Sequence, residues 1–335
     1  MRVTVSAPGK ITLLGEHAVV YGEPAIVSAI DRRIYIAVES RTDKSIRISA
    51  PDLQVPGMTL TMTGRDLIVE TDRVRAQGAV SYIRRAIDVA SEFAAKRQGV
   101  DVYVSSQMPV GAGLGTSAAV SIGVIAAYLR MAGQEVETKD LAKLGHSTEA
   151  GVQGAASPMD TTISAYGGTI YLKPSGRGQD PIVEPLSPPV ELPYVLGYTE
   201  RESNTGDLVA RVRRLKESYP DVVDPIIKAI GRAVEGSRKA IAGGDLNTLG
   251  SLMNINQGLL ASLGVSTKRL SDMIYSARSA GALGAKLTGA GGGGCMIALC
   301  PGKAAEVTTA IGITGGRAFQ TSLSAEGLRY ESVEP

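Results

Sequence analysis

The segment PVGAGLGTSAAVS, residues 109–121, constrains the fold of this chain more than any other. A β-rich run over 101–105 leads into glycines at alternate positions, Gly111, Gly113 and Gly115. Thr116 and Ser117 follow, and then an apolar helical run over 118–131. Glycine lets backbone N–H groups turn inward where a Cβ would stand in the way. The helix start behind adds unpaired donors and the positive end of a dipole. Strand, glycine turn and helix start in this order predict a polyphosphate cradle built from main chain. The spacing is not the G-x-G-x-x-G of a dinucleotide fold, and no Lys follows the last glycine as in a Walker loop. Taken alone, the loop is equally a turn that lets a helix pack closely on a sheet, so other segments must decide.

Composition narrows the partners. A chain of 335 residues has room for two lobes or one large domain. Hydrophobic residues at 44% and charged residues at 20% describe an ordinary globular protein. A net charge of +2 points to neither nucleic acid nor an anionic membrane. The absence of Trp, with only 2 Phe, removes the stacking platforms that single-stranded nucleic acid uses. No apolar run reaches bilayer length, and the N-terminus MRVTVSAPGK lacks a signal-peptide core. Cys295 and Cys300 do not have the spacing of a C-x-x-C site, so a reduced, cytoplasmic setting is expected.

Strands are predicted over 2–6, 11–14, 25–29, 34–38, 45–49 and 59–62, and a helix over 77–97. Thr138 is expected to cap a helix reaching about Gly151, and Gly167-Gly168 to turn into a strand over 169–173. Residues 174–193 hold four prolines between Pro181 and Pro189 and read as the domain junction. The expected lobes are therefore 1–178 and 179–335. The second carries a strand over 194–198 and helices over 205–215, 222–243, 245–263 and 267–280. Strands over 282–287 and 295–300 follow, with a last pair near 318–322 and 327–331.

Two further segments carry ionisable or glycine-rich patterns. APGKITLLGEHAVVYG, residues 7–22, embeds Lys10, Glu16 and His17 in apolar runs. KLTGAGGGGC, residues 286–295, is all glycine from Gly289 to Gly294 except Ala290. Fixing four consecutive glycines is entropically costly for a mere hairpin, so backbone must approach something closely there. In this order the three segments resemble the GHMP kinase superfamily, most closely its mevalonate kinases. The stretch GEHAVVYG, residues 15–22, carries that narrower likeness. Galactokinases share G-E-H but usually continue differently. The likeness extends through Glu149, SPMDTT (residues 157–162) and Gly167-Gly168, covering nearly the whole chain.

The resemblance implies an α/β (α+β) fold of two lobes with the active site between them. The first lobe is ribosomal-protein-S5-domain-2-like and the second ferredoxin-like. It implies ATP and Mg²⁺, with mevalonate as the small-molecule substrate. Pro109, Gly111, Ala112, Gly113, Leu114, Gly115, Thr116, Ser117 and Ala118 would hold the nucleotide. Ser117 and Glu149 would ligate Mg²⁺ through hard oxygens. Asp160, placed in a glycine-bounded loop, would take the proton of the substrate's C5 hydroxyl or only orient it, with Lys10 beside it. Glu16, His17, Gly289 and Ala290 would meet the substrate, with Arg201 pairing its carboxylate and Thr205 capping a helix or touching substrate. Thr116 stands where many relatives have Ser, and Thr161 where many have Asn, which bears on support for the base. The competing readings are another GHMP kinase acting on a sugar or phosphomevalonate, and a non-catalytic sensor of the same fold. Nothing in the sequence selects an oligomeric state, although homodimers are common.

Overall fold

Strands β1 (Arg2–Leu14) and β2 (Ala25–Ser40) pair antiparallel along almost their whole lengths and form the spine of the first lobe. The structure, a computed structural model, describes residues 1–50, 59–63, 66–70, 77–108, 112–154, 157–176, 179–203, 205–323 and 325–335. The sequence splits each spine strand in two, because Pro8-Gly9 and the charged run at 31–33 read as breaks. Instead the register shifts between Pro8 and Lys10 and between Thr12 and Leu14, and the strand continues through both irregularities.

Around the spine lie β3 (Ile46–Ser49), β4 (Thr59–Thr63), β5 (Asp66–Glu70) and β6 (Val100–Ser106). Helices α1 (Gln77–Phe93), α2 (Thr116–Met131), α3 (Thr138–Gln153) and α4 (Met159–Tyr166) follow along the chain. Strand β7 (Thr169–Lys173) pairs with the first part of β2, and β8 (Ile182–Leu186) pairs with β7. Helix α2 is apolar nearly all round and buried from Ala118 to Leu129, packed on β1 and β2 and flanked by α1 and α3. Thr138 is the first residue of α3, not its cap; Glu137 holds the cap position.

The second lobe comprises β9 (Tyr194–Thr199), α5 (Thr205–Ser218), α6 (Pro220–Gly243), α7 (Leu246–Ser262) and α8 (Lys268–Ser279). Then come β10 (Gly284–Leu287), β11 (Gly294–Leu299), α9 (Ala304–Ile313), β12 (Arg317–Thr321) and β13 (Arg329–Glu334). Its sheet is antiparallel in the order β10-β11-β9-β12. Alternation along β11 sorts two cores. Cys295, Ile297 and Leu299 join the core shared with the first lobe, while Met296, Ala298 and Cys300 face the core of α8 and α9.

Three elements depart from the sequence reading. The last two strands do not pair: β12 joins β9, whereas β13 crosses back and pairs with β1. Arg33 anchors that return, donating to Ser6 Oγ at 2.7 Å and to the carbonyls of Ser6, Glu326 and Gly327. Helix α9 is absent from the sequence reading because Thr308, Thr309 and Gly312 weaken its propensity; burial of Val307 and Ile311 stabilises it. The proline-rich junction contains β8, hydrogen-bonded to β7 across the expected 178/179 division. The first sheet therefore draws on both sides of that division.

Candidate active site

Lys10 reaches the site because the strand beneath it is irregular. Pro8 offers no N–H to the ladder, and Gly9 lets Met108 and the Leu114 carbonyl approach where a Cβ would lie 2.1 Å from Met108 Sδ. Lys10 N–H then donates to Leu114 O at 2.8 Å, tying β1 to the phosphate loop. Its Nζ lies 2.9 Å from Asp160 Oδ1, with Lys10 almost fully buried and the Asp160 side chain 28% exposed. Asp160 sits in the first turn of α4, not in a loop. Thr161 is buried and donates to Pro158 O at 3.2 Å, so its hydroxyl braces the α4 start and not the Asp160 carboxylate.

The described part of the glycine loop, Ala112 to Gly115, enters α2 with Gly113 and Gly115 in the left-handed region, at φ of 81° and 74°. Pro109 and Gly111 lie outside the described residues. Gly115 occupies the cap position of α2 with no side-chain cap bond, which leaves the first N–H groups of the helix uncapped. Thr116 Oγ1 is buried with no hydrogen-bond partner among the described residues. An orphaned hydroxyl beside open helix N–H groups fits a polyphosphate.

Ser117 Oγ donates to Glu149 Oε1 at 2.8 Å. Burial, reinforced by the neighbouring Asp160 charge, pushes the Glu149 carboxyl up to about 7. Among the described residues, no three His, Cys, Asp or Glu side chains cluster as a metal cage. One carboxylate and one hydroxyl make the sparse hard-oxygen set that Mg²⁺ uses together with phosphate oxygens and water. The raised Glu149 carboxyl, facing Asp160, is a group that a cation would favour.

The third segment closes over this site from the second lobe. Gly293 and Gly294 have φ of 95° and 81°; a Cβ on Gly294 would lie 2.9 Å from Ala112 O, and one on Gly289 3.4 Å from Gly113 O. The glycines let two backbone loops touch. Arg201 threads between them: its Nη1 donates to Thr205 Oγ1 at 2.9 Å, and its buried Nε has no partner among the described residues. A Cβ on Gly113 would lie 2.7 Å from Arg201 Nη2, so this guanidinium faces the phosphate loop. Thr205 opens α5 as the partner of Arg201.

Glu16 and His17, expected to meet substrate, are both held by side-chain bonds to the second lobe. Glu16 is buried, one oxygen paired with Lys286 Nζ and the other accepting from Asn256 Nδ2 at 3.2 Å. His17 Nε2 donates to Ala290 O at 2.9 Å, and burial pushes its pKa down, so the ring is held neutral with its proton on Nε2. Its φ of 61° is unusual for a side chain of this size and is held by that cross-lobe bond. Thr288 Oγ1 accepts from Thr12 N at 2.9 Å and donates to Thr12 O at 3.0 Å.

The GHMP kinases N terminal domain matches residues 79–168, the GHMP kinases C terminal domain residues 237–316, and the galactokinase galactose-binding signature residues 2–40. A mevalonate kinase of Thermococcus sibiricus is 49% identical over 99% of this chain and 99% of its own. The chain belongs to the GHMP kinases. A Pyrococcus horikoshii mevalonate kinase is also 49% identical, over 99% of this chain and 98% of its own. The crystal structure of the Methanococcus jannaschii mevalonate kinase matches with a TM-score of 0.78 at 26% identity, covering 97% of this chain and 99% of that one. Among the described residues of this GHMP kinase, no helix is long and apolar enough to cross a membrane.

The sequence reading misses two groups in this GHMP kinase. Tyr82 of α1 accepts from Gln153 at 2.6 Å and contacts Ser117, which brings a third helix to the Ser117–Glu149 pair. Lys286 and Asn256 hold Glu16 from the second lobe. A lone Lys before a glycine run and an Asn inside a helix carry no periodic signal. Only the order of segments around them hinted at a role.

Proposed function

We propose that this chain is an ATP-dependent mevalonate kinase that phosphorylates the C5 hydroxyl of mevalonate. The observation that carries the reading is the Lys10–Asp160 pair at 2.9 Å beside a main-chain phosphate cradle, in a chain nearly half identical to proteins named mevalonate kinase. Bound ATP and Mg²⁺ supply the phosphoryl group and the charge that screens it. Ala112–Ala118 present the N–H groups and hydroxyls that position the polyphosphate. Ser117 and Glu149 are the Mg²⁺ ligands on this reading, and Arg201 adds a cation at the junction of the two glycine loops. Asp160 accepts or steers the hydroxyl proton, and Lys10 stabilises the oxygen as its charge develops. Gly289 and Ala290 close the acceptor side, with His17 holding Ala290 in place.

The galactose-binding signature over residues 2–40 favours a second reading, phosphorylation of a sugar hydroxyl on the same machinery. An ADP-release assay with mevalonate, phosphomevalonate, galactose and homoserine, with the product identified by NMR, separates the two. Turnover of mevalonate alone to the 5-phosphate supports the proposal. Turnover of galactose in its place moves the substrate and keeps the kinase. Silence with all four, ATP still binding, overturns the catalytic reading.

A further inference from the structure

Lys286 is the most deeply buried charged side chain in the described chain, at 0% exposure, and the phosphoryl-transfer chemistry above makes no direct use of it. It lies on β10, immediately before the glycine-rich loop, and spends its ammonium on Glu16 and the Leu287 carbonyl. Lys10 lies near enough to repel it. The charges therefore run in sequence through the site: Glu149 and Asp160, then Lys10, then Lys286 and Glu16.

In that run Lys10 pairs with Asp160 at 2.9 Å, and Lys286 holds the other carboxylate, Glu16. The Asp160 contact is the productive one. Glu16 cannot swing to solvent, because it is 3% exposed and its second oxygen is held by Asn256 of α7. Without a cation of its own it would be a buried, unpaired anion, and the nearest remaining cation of this run is Lys10. A buried charge deprived of its partner is strongly destabilised, and a counter-charge within reach relieves that penalty.

We propose that Lys286 is a positioning residue for phosphoryl transfer: by occupying Glu16 in a buried ion pair across the lobes, it leaves Lys10 to Asp160. The pair reaches the site from the second lobe, alongside the Thr12–Thr288 and His17–Ala290 bonds, and so couples lobe docking to the alignment of Lys10. This inference rests on the mevalonate kinase reading.

The test compares wild type, Lys286→Met and Lys286→Met/Glu16→Gln in steady-state kinetics with mevalonate and ATP, each checked for folding by its thermal melt. Lys286→Met is expected to lower kcat by roughly tenfold or more while KM for ATP stays within about threefold, since the phosphate loop is untouched. Adding Glu16→Gln removes the competing carboxylate and should recover kcat by about fivefold over the single variant, a non-additivity that loss of packing does not produce. Where Lys286→Met fails to fold, Lys286→Gln replaces it; its neutral donor satisfies Glu16 only in part, so the expected loss of kcat is smaller, about threefold, and adding Glu16→Gln should again recover it. Wild-type kcat in the single variant, or a double variant no better than the single, overturns the proposal. Absence of mevalonate turnover in the wild type overturns the functional reading and this one with it; normal wild-type turnover confines a failure to Lys286.

Discussion

Replacing Glu149 by Gln should change how the stability of the apo protein depends on pH. An isolated glutamate titrates near 4.5, whereas burial and the Asp160 charge lift the Glu149 carboxyl to about 7 in the folded state. Below 4.5 the carboxyl is protonated in both folded and unfolded chains, and the shift costs nothing. Between 4.5 and 7 the folded protein holds a proton that the unfolded chain has released, so stability falls as pH rises. Above 7 the penalty is complete. The displacement from 4.5 to about 7 corresponds to about 3 kcal/mol. Chemical denaturation in EDTA at pH 4.5, 6 and 7.5 should therefore show the wild type losing about 3 kcal/mol more than Glu149→Gln across that window. Asp160→Asn removes the second cause of the shift and should shrink the difference. Denaturation curves whose separation stays constant within about 0.5 kcal/mol across the window would refute the electrostatic argument.

Other consequences of the site are as direct. Asp160→Asn is expected to lower kcat by roughly 10²–10⁴ with ATP affinity retained, as read by turnover and calorimetry; wild-type turnover would remove Asp160 from the mechanism. Gly115→Ala places a Cβ 2.7 Å from Lys10 Cγ at a φ of 74°. It should cost about 1–2 kcal/mol in stability and lower kcat together, and an unchanged melt and rate would contradict that. Ser117→Ala should raise the Mg²⁺ concentration needed for half-maximal rate, and superimposable Mg²⁺ titrations would exclude Ser117 as a ligand. Arg33→Met strips donors from the Ser6, Glu326 and Gly327 carbonyls and should cost about 3 kcal/mol in denaturation experiments; a loss near zero would mean that β13 is not held by Arg33.

Much of the site is legible along the chain because its chemistry is local. Gly113 and Gly115 before α2 adopt positive φ, and the helix start behind them presents open N–H groups. The amphipathic helices and β-branched strands of the second lobe appear from their period, with Asp245 and Thr267 capping α7 and α8 through side-chain bonds. Local signals mislead where packing overrides them. Asp160 reads as a loop residue because Ser157-Pro158 and the following glycines dominate its surroundings, yet Pro158 caps a short helix whose interior, Thr161 to Ala165, is buried. β8 hides in a proline-rich stretch because pairing with β7, not its own composition, makes it a strand.

What the sequence by itself determined was the set of elements whose conformation follows from neighbours within about one helical turn: the phosphate loop, the helix behind it and the residue types able to hold a phosphoryl group. The tertiary structure alone decided which charges meet. Lys10 and Asp160 are 150 positions apart, and Glu16 and Lys286 are 270 apart. Their pairing depends on an irregular β1, on β13 returning to that strand and on two glycine loops in backbone contact. No pattern in the chain encodes a contact between residues that distant; it emerges only when burying both cores at once leaves those side chains facing one another.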